Sequence, residues 1–284
     1  MPELPEIEVL KNSLKNVLPG KIIDWVKIID FIKKIEPKNL PAKLKGQKVI
    51  KVSRRQKMII FELSGGNYLV THLKMTGQYV FKSTAGQLFF GGHGQPGIDT
   101  VPNKYTRVIF YLKNDGILYY GDLRKFGWLK LLDENGLAEL SGQFGVEPLS
   151  RNFSRQYFNL ILERYSRKKI KLILMDQFMI SGIGNIYAAE ILFKSGVRPD
   201  RPAGRLSEKE KNAIFHQIKR ILTDSIKLGG TAVNTYPNSN STGGFNKKLR
   251  VYDREGQPCF RCKARLRRVK FGGRSTVYCP ECQK

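Results

Sequence analysis

Cysteine is missing from the first 258 residues of this 284-residue chain; Cys259, Cys262, Cys279 and Cys282 are the only four. That placement excludes a disulfide framework spread over a secreted fold. Acidic residues are scarce as well, with 24 Asp and Glu against 50 Lys and Arg for a net charge of +26. The excess is distributed along the chain, a pattern suited to a polyanionic partner, most simply nucleic acid, and to binding that weakens as salt rises. A ribosomal or membrane-surface protein carries similar charge. No apolar run approaches the length of a bilayer span, and the start has neither the charged segment nor the apolar run of a secretory signal. The chain is therefore expected to be soluble and intracellular. No internal repeat is visible, and 41 % hydrophobic residues suffice for a real core, with two domains expected.

The chain opens Met1-Pro2-Glu3-Leu4-Pro5-Glu6, an acidic start to a basic protein. Leu4, Ile7, Leu10, Leu14, Val17 and Leu18 then recur at three- and four-residue spacing until Pro19-Gly20, predicting an amphipathic helix of about four turns. Pro and Glu suit its first turn, Pro through its preset φ and Glu through the helix dipole. The same residues have a chemical reading. Removal of Met1 leaves Pro2 as a secondary amine beside Glu3, a nucleophile next to a proton donor, and an α-amine is far less basic than lysine.

From Lys21 to about Leu132 the texture is β-rich, with strands expected at 22–29, 48–53, 58–63, 68–72, 106–112, 116–120 and 128–132. Gly65-Gly66-Asn67 and Asn114-Asp115-Gly116 supply the turn signals. Short strands so punctuated predict a sandwich or barrel-like domain. Residues 83–103, rich in Gly and holding Pro96 and Pro102, read as a long surface loop. Around Glu147-Pro148-Leu149-Ser150 strand texture gives way to helix, with helices expected at 154–165, 168–178, 185–195 and 208–228. Ser207 and Glu210 stand at capping-box spacing at the start of the last, which Gly229-Gly230 ends. Asn234 to Asn246 reads as a polar loop.

Two residues separate Cys259 from Cys262, sixteen separate Cys262 from Cys279, and two separate Cys279 from Cys282, the spacing of a tetrahedral structural zinc site. Four thiolates leave no open position for catalysis, so one structural Zn2+ is expected. Between the pairs, Arg261, Lys263, Arg265, Arg267, Arg268, Lys270 and Arg274 surround Val269 and Phe271. A basic hairpin able to lie along a phosphate backbone is the expectation, although a zinc ribbon of a ribosomal or transcription protein looks alike at this level. Gly182-Ile183-Gly184-Asn185 before an apolar helix suits an anion at a helix start. Arg54-Arg55-Gln56-Lys57 clusters cations at a strand end. Leu73-Lys74-Met75-Thr76-Gly77 and Asp122-Leu123-Arg124-Lys125-Phe126-Gly127 each place a large side chain on a turn, where it is either core or a wedge for a base stack.

Taken in order, Pro2-Glu3-Leu4-Pro5-Glu6, Arg54-Arg55-Gln56-Lys57, Met75-Thr76-Gly77, Asp122 to Gly127, Gly184-Asn185-Ile186-Tyr187, Gly229-Gly230-Thr231 and the zinc hairpin closely resemble the bacterial formamidopyrimidine-DNA glycosylases over essentially the whole chain. The resemblance implies an α+β fold: an N-terminal β-sandwich with a leading helix, then a helix-two-turns-helix domain with a zinc-finger β-hairpin. It implies a catalytic domain at 1–147, a DNA-binding domain at 148–236, and a lesion loop with zinc finger at 237–284. It further implies a bifunctional glycosylase and abasic-site lyase acting on double-stranded DNA that contains oxidised bases or abasic sites. In that family pattern Pro2 is the nucleophile and Glu3 the proton donor to the sugar, while Glu6 supports the helix start. Lys57 matches the lysine of β-elimination and Arg274 the arginine of δ-elimination. Met75, Arg124 and Phe126 match the residues that fill the duplex void, and Tyr105, Arg167, Lys171 and Asn185 match other DNA contacts.

Some residues depart from that pattern. Tyr105 stands where the family commonly has His, Gln56 and Asp253 replace common glycines, and the 83–103 segment is long. Two other readings stay open, a paralogue of the endonuclease VIII type acting on oxidised pyrimidines and a zinc DNA-binding protein without chemistry. Leu4, where the endonuclease VIII branch usually has Gly, and the Arg124 to Phe126 match favour the formamidopyrimidine type. A monomer in the cytoplasm, associated with the nucleoid, is expected.

Overall fold

The computed structural model describes residues 1–92, 100–231 and 243–284. The chain divides into two compact units, Met1–Gly142 with Leu228–Asn246, and Gln143–Lys227 with Lys247–Lys284.

The first unit opens with α1 (Leu4–Lys15), whose apolar stripe at Leu4, Ile7, Leu10 and Leu14 is buried. Strands β1 (Ile23–Ile28), β2 (Ile35–Glu36), β3 (Val49–Arg55), β4 (Met58–Leu63), β5 (Tyr68–His72), β6 (Gly77–Lys82), β7 (Leu88–Gly92), β8 (Thr106–Leu112), β9 (Gly116–Asp122) and β10 (Trp128–Leu132) follow. A short helix α2 (Leu40–Leu44) sits between β2 and β3, and α3 (Glu134–Gly142) closes the run. The strands form two five-stranded sheets, ordered β1-β8-β9-β6-β7 and β2-β10-β5-β4-β3. Ile7, Leu10 and Leu14 of α1 share one core with Val52, Ile59 and Phe61 of one sheet and Tyr79, Phe110 and Tyr120 of the other. Each such side chain contributes about 2 kcal/mol through removal of its apolar surface from water, so the helix is held by packing more than by its own propensity.

The second unit holds α4 (Arg155–Arg164), α5 (Ile170–Met175), α6 (Asn185–Lys194), α7 (Glu208–Lys227) and the antiparallel hairpin of β11 (Arg267–Phe271) and β12 (Arg274–Tyr278). Ser154 Oγ accepts from the Tyr157 N–H at 3.0 Å at the head of α4. The capping box of α7 forms as its spacing predicts, with the Ser207 N–H donating to Glu210 Oε2 at 2.8 Å and the Glu210 N–H to Ser207 Oγ at 3.3 Å. Among the described residues no helix is long and apolar enough to cross a membrane.

Several expectations need correction. The stretch 83–103 is not all loop, because β7 pairs with β6 from Lys82↔Leu88 to Gln78↔Gly92. Its glycines mask a short edge strand, and β6 itself lies outside the expected strands. Residues 93–99 of that stretch, and 234–242 of the polar loop, lie outside the described residues, while Gly244–Lys248 forms a 3₁₀ turn. The helix expected at 168–178 is only α5. It stops because the Gln177 side chain takes over, donating from Nε2 to the Met175 and Ile183 carbonyls, both at 2.7 Å. The two positions that depart from family glycines have a shared backbone cause: Gln56 holds φ +57° and Asp253 φ +58°. Glycine adopts that region freely, whereas an L side chain there costs about 1 kcal/mol.

Candidate active site

Strand register alone gathers the site of the first unit. Met58 at the start of β4 pairs with His72 at the end of β5, and His72 pairs with Trp128 at the start of β10. In the other sheet, Gly77 at the start of β6 pairs with Asp122 at the end of β9. The turns that leave these strand ends, at Gln56-Lys57, Leu73 to Thr76 and Leu123 to Gly127, therefore emerge at one end of the sandwich. Lys57 is buried there at 4 % exposure, an unusual burial for lysine.

The head of α1 belongs to the same end. Pro2 and Glu3 are buried. The α-amine at the chain start is held below its ordinary value chiefly by burial, with Lys57 and Arg124 pushing the same way and Glu3 and Glu6 opposing. Four of the side chains singled out in the sequence thus act on one amine. Glu6 fixes the helix start: its Oε2 accepts from the Glu3 N–H at 2.9 Å, and its Oε1 accepts from Thr231 N–H at 2.8 Å and Thr231 Oγ1 at 2.9 Å. Gly230, at φ +79°, lets that approach happen, since a Cβ there would lie 2.9 Å from Glu6 Oε1.

The turns that carry Met75 and Phe126 are built alike. Lys74 and Lys125, the residues before Met75 and Phe126, hold φ +51° and +54°. Phe126 is 47 % exposed, which favours a working surface over a core role, and the Arg124 guanidinium lies 4.6 Å from its ring centroid. Asp122, fully buried, knots both turns together. Its carboxylate accepts from Thr76 Oγ1 at 2.5 Å, the Gly127 N–H at 2.8 Å and the Arg124 N–H at 3.2 Å. Gly127 has no room for a side chain, because a Cβ would fall 1.9 Å from Tyr120 Oη. Asp122→Ala strands these donors, so a destabilisation of about 3–5 kcal/mol is expected in chemical denaturation. A loss below 1 kcal/mol would show that the knot is not structural.

His72 gives the first unit a pH dependence. Burial, reinforced by Lys74 and Lys57, lowers its pKa to about 3, and its Nδ1 accepts from the Lys74 N–H at 2.9 Å, as a neutral ring does. The unfolded chain takes up a proton near pH 6.5 and the folded one does not. Stability is therefore complete above pH 6.5 and falls by about 1.4 kcal/mol per pH unit as pH drops towards 3. Urea melts at pH 7 and pH 5 check this, and His72→Gln should flatten the difference.

In the second unit, Asn185 opens α6 and Lys171 of α5 is 1 % exposed, its Nζ donating to Asn185 Oδ1 at 2.7 Å and Thr276 Oγ1 at 2.6 Å. Arg167 precedes α5 and is exposed, and Arg274, also exposed, begins β12. Tyr105, partly buried in the first unit, lies just before β8. The four Cys sulfurs lie within 4.8 Å of one another, with Cys259 to Cys282 at 3.9 Å and Cys262 to Cys279 at 3.5 Å. Four thiolates about 2.3 Å from a tetrahedral Zn2+ stand about 3.8 Å apart, so the donor set fits the ion. Backbone N–H groups of Arg261 and Cys282 reach Cys259 and Cys279 sulfurs at 3.4 Å. Bound zinc supplies rigidity to the hairpin.

Thr231, Asp122, His72 and Thr276 had no role assigned from sequence. An acidic residue heading a basic turn was the one available signal for Asp122, and the contacts of the others span long stretches of chain.

The comparisons cover the whole chain. Residues 1–129 match the formamidopyrimidine-DNA glycosylase N-terminal domain, 144–237 the H2TH domain of the same enzyme, and 256–284 the zinc finger found in FPG and IleRS. A formamidopyrimidine-DNA glycosylase of Pelotomaculum thermopropionicum is 37 % identical over 289 residues, spanning 100 % of this chain and 99 % of its own. One from Carboxydothermus hydrogenoformans is also 37 % identical, with both chains covered in full. Among solved structures, a Lactococcus lactis FPG mutant bound to Fapy-dG-containing DNA superimposes with a TM-score of 0.88 at 32 % identity, covering 100 % of both chains. The L. lactis enzyme bound to DNA with an abasic site gives 0.87 at 31 %, covering 99 % of each. By sequence and by fold, this chain belongs to the formamidopyrimidine-DNA glycosylase family.

Proposed function

We propose that this chain is a bifunctional DNA glycosylase and abasic-site lyase of base excision repair that removes oxidised purines such as 8-oxoguanine and formamidopyrimidines. The observation that carries the reading is the buried head of α1, where Pro2 and Glu3 are enclosed, Glu6 holds the Glu3 N–H at 2.9 Å, and Lys57 and Arg124 lie near enough to act on the Met1 amine that precedes them. Once Met1 is removed, the Pro2 nitrogen attacks C1′ of the damaged nucleotide and the bond from C1′ to the base breaks. Glu3 protonates the sugar ring oxygen, the ring opens, and an imine joins Pro2 to the sugar. That imine makes C1′ an electron sink, so loss of a C2′ proton expels the 3′ phosphate, with Lys57 assisting. A second elimination, assisted by Arg274, expels the 5′ phosphate.

Met75, Arg124 and Phe126 fill the space left by the extruded nucleotide, which suits their turns at one end of the sandwich. Arg167, Asn185 and Tyr105 serve the DNA backbone, and the buried Lys171 does so through its hydrogen bond to Asn185. Residues 1–147 act as the catalytic domain, 148–236 as the DNA-binding domain, and 237–284 as lesion loop and zinc finger. A monomer in the cytoplasm, on nucleoid DNA, is the working form. Borohydride should trap a covalent complex on a duplex with 8-oxoguanine opposite cytosine, faster than on a thymine glycol duplex. The reverse preference would indicate an endonuclease VIII-like enzyme, and no trapping in Met1-processed protein would leave only a DNA-binding role.

A further inference from the structure

Lys171 is buried as fully as the leucines of the core, and an ammonium in that position is costly unless its protons are taken. Two of its acceptors come from separate parts of the second unit: Asn185 Oδ1 at the head of α6, at 2.7 Å, and Thr276 Oγ1 in the middle of β12, at 2.6 Å. Only the amide oxygen of Asn185 can accept from an ammonium, so its Nδ2 group is the one left for an anion. Thr276 is itself 2 % exposed and stands two residues from Arg274 on the same strand. Side chains at that separation share one face of a strand. Lys171, Asn185, Ser275 and Thr276 also border a single cavity of about 310 Å³. The zinc hairpin is thus tied to the start of α6 by a chain of two hydrogen bonds centred on a buried cation.

We propose that Thr276 is a positioning residue for strand cleavage: by accepting from Lys171 it sets the strand that carries Arg274 in fixed register with the Asn185 phosphate contact. The proposal rests on the reading above, in which Arg274 serves the second elimination and Asn185 holds a phosphate. It separates two roles that a phosphate-binding lysine would merge. Lys171 is too deeply buried to meet DNA as an exposed cation does, and it acts through its two partners. Base excision, which depends on Pro2 and Glu3 in the other unit, does not depend on this tie.

The test uses zinc-loaded, Met1-processed protein and an 8-oxoguanine duplex, with the δ- to β-elimination product ratio and borohydride trapping measured side by side. Thr276→Val keeps the shape and branching of the side chain and removes the acceptor. The ratio is expected to fall about tenfold, the loss that one buried charge-assisted hydrogen bond supports, with trapping at saturating DNA within about twofold of the parent. Thr276→Ser, which retains the hydroxyl, should restore the ratio. An unchanged ratio in Thr276→Val overturns the proposal. So does a parallel fall in ratio and trapping, a failure of Thr276→Ser to rescue, or loss of zinc from Thr276→Val, since each makes the contact merely structural or irrelevant. If the parent chain traps nothing, the underlying enzyme reading fails, and the proposal with it.

Discussion

Protein that retains Met1 is expected to give no borohydride-trapped complex through Pro2 and to lose strand cleavage by at least about a thousandfold. The cause is the peptide bond. In the Met1 to Pro2 linkage the proline nitrogen is a planar amide whose electron pair is delocalised, so it cannot attack carbon. The amine that remains on Met1 is displaced by one residue, about 3.8 Å, which is more than the misplacement a near-attack geometry tolerates. Intact mass separates the two populations, and the trapped fraction should track the processed fraction. Met1-retaining protein that cleaves at the processed rate would sink the Pro2 assignment. Glu3→Gln in processed protein offers the complementary result, loss of cleavage with DNA binding largely kept.

The second large effect is expected on stripping the zinc. The hairpin has almost no core of its own: Cys259 and Cys279 are buried with Ala189, Phe193, Val251 and Leu266 in one small cluster. A module that size depends on its metal, whose binding at such sites is worth on the order of 10 kcal/mol or more. A chelator, or Cys279→Ala, should melt β11 and β12, release Arg274 from its strand, and weaken DNA binding by at least about a hundredfold, while the sandwich stays folded. Both tryptophans, Trp25 and Trp128, lie in the first unit, so their fluorescence should barely change while amide exchange in 267–278 becomes fast. Retention of slow exchange there after metal removal would contradict a structural zinc.

What the sequence made legible follows from how local each signal is. The stripe of α1 as far as Leu14, the Ser207 to Glu210 box and the paired cysteines are all set within a few turns or tight loops and formed as their spacing predicts, whereas Val17 and Leu18 lie past the helix end at Lys15. The fold class followed from the texture and the resemblance. The edge strand β7 was hidden because Leu88-Phe89 sits among glycines, and an edge strand needs only one partner. The knot at Asp122 and the contact of Glu6 with Thr231 depend on register between distant strands and on chain return, which no local pattern encodes. Lys171 illustrates the same limit. The resemblance placed it among the DNA contacts, and only packing reveals that it is buried.

The Glu6 to Thr231 contact bears on how the protein can be taken apart. Because Leu228–Asn246 belongs with the first unit, the backbone passes between the units at Gly142, at Lys227 and again at Asn246. No single cut yields two self-sufficient halves. A fragment ending at Gly142 would carry the proposed nucleophile and its helix, yet Glu6 would have surrendered the threonine that orients it, and the complementary piece would bear that threonine as an orphan. Head and tail of this enzyme are written into each other, so dissection calls for internal grafting, with 228–246 supplied back to the sandwich, in place of simple truncation.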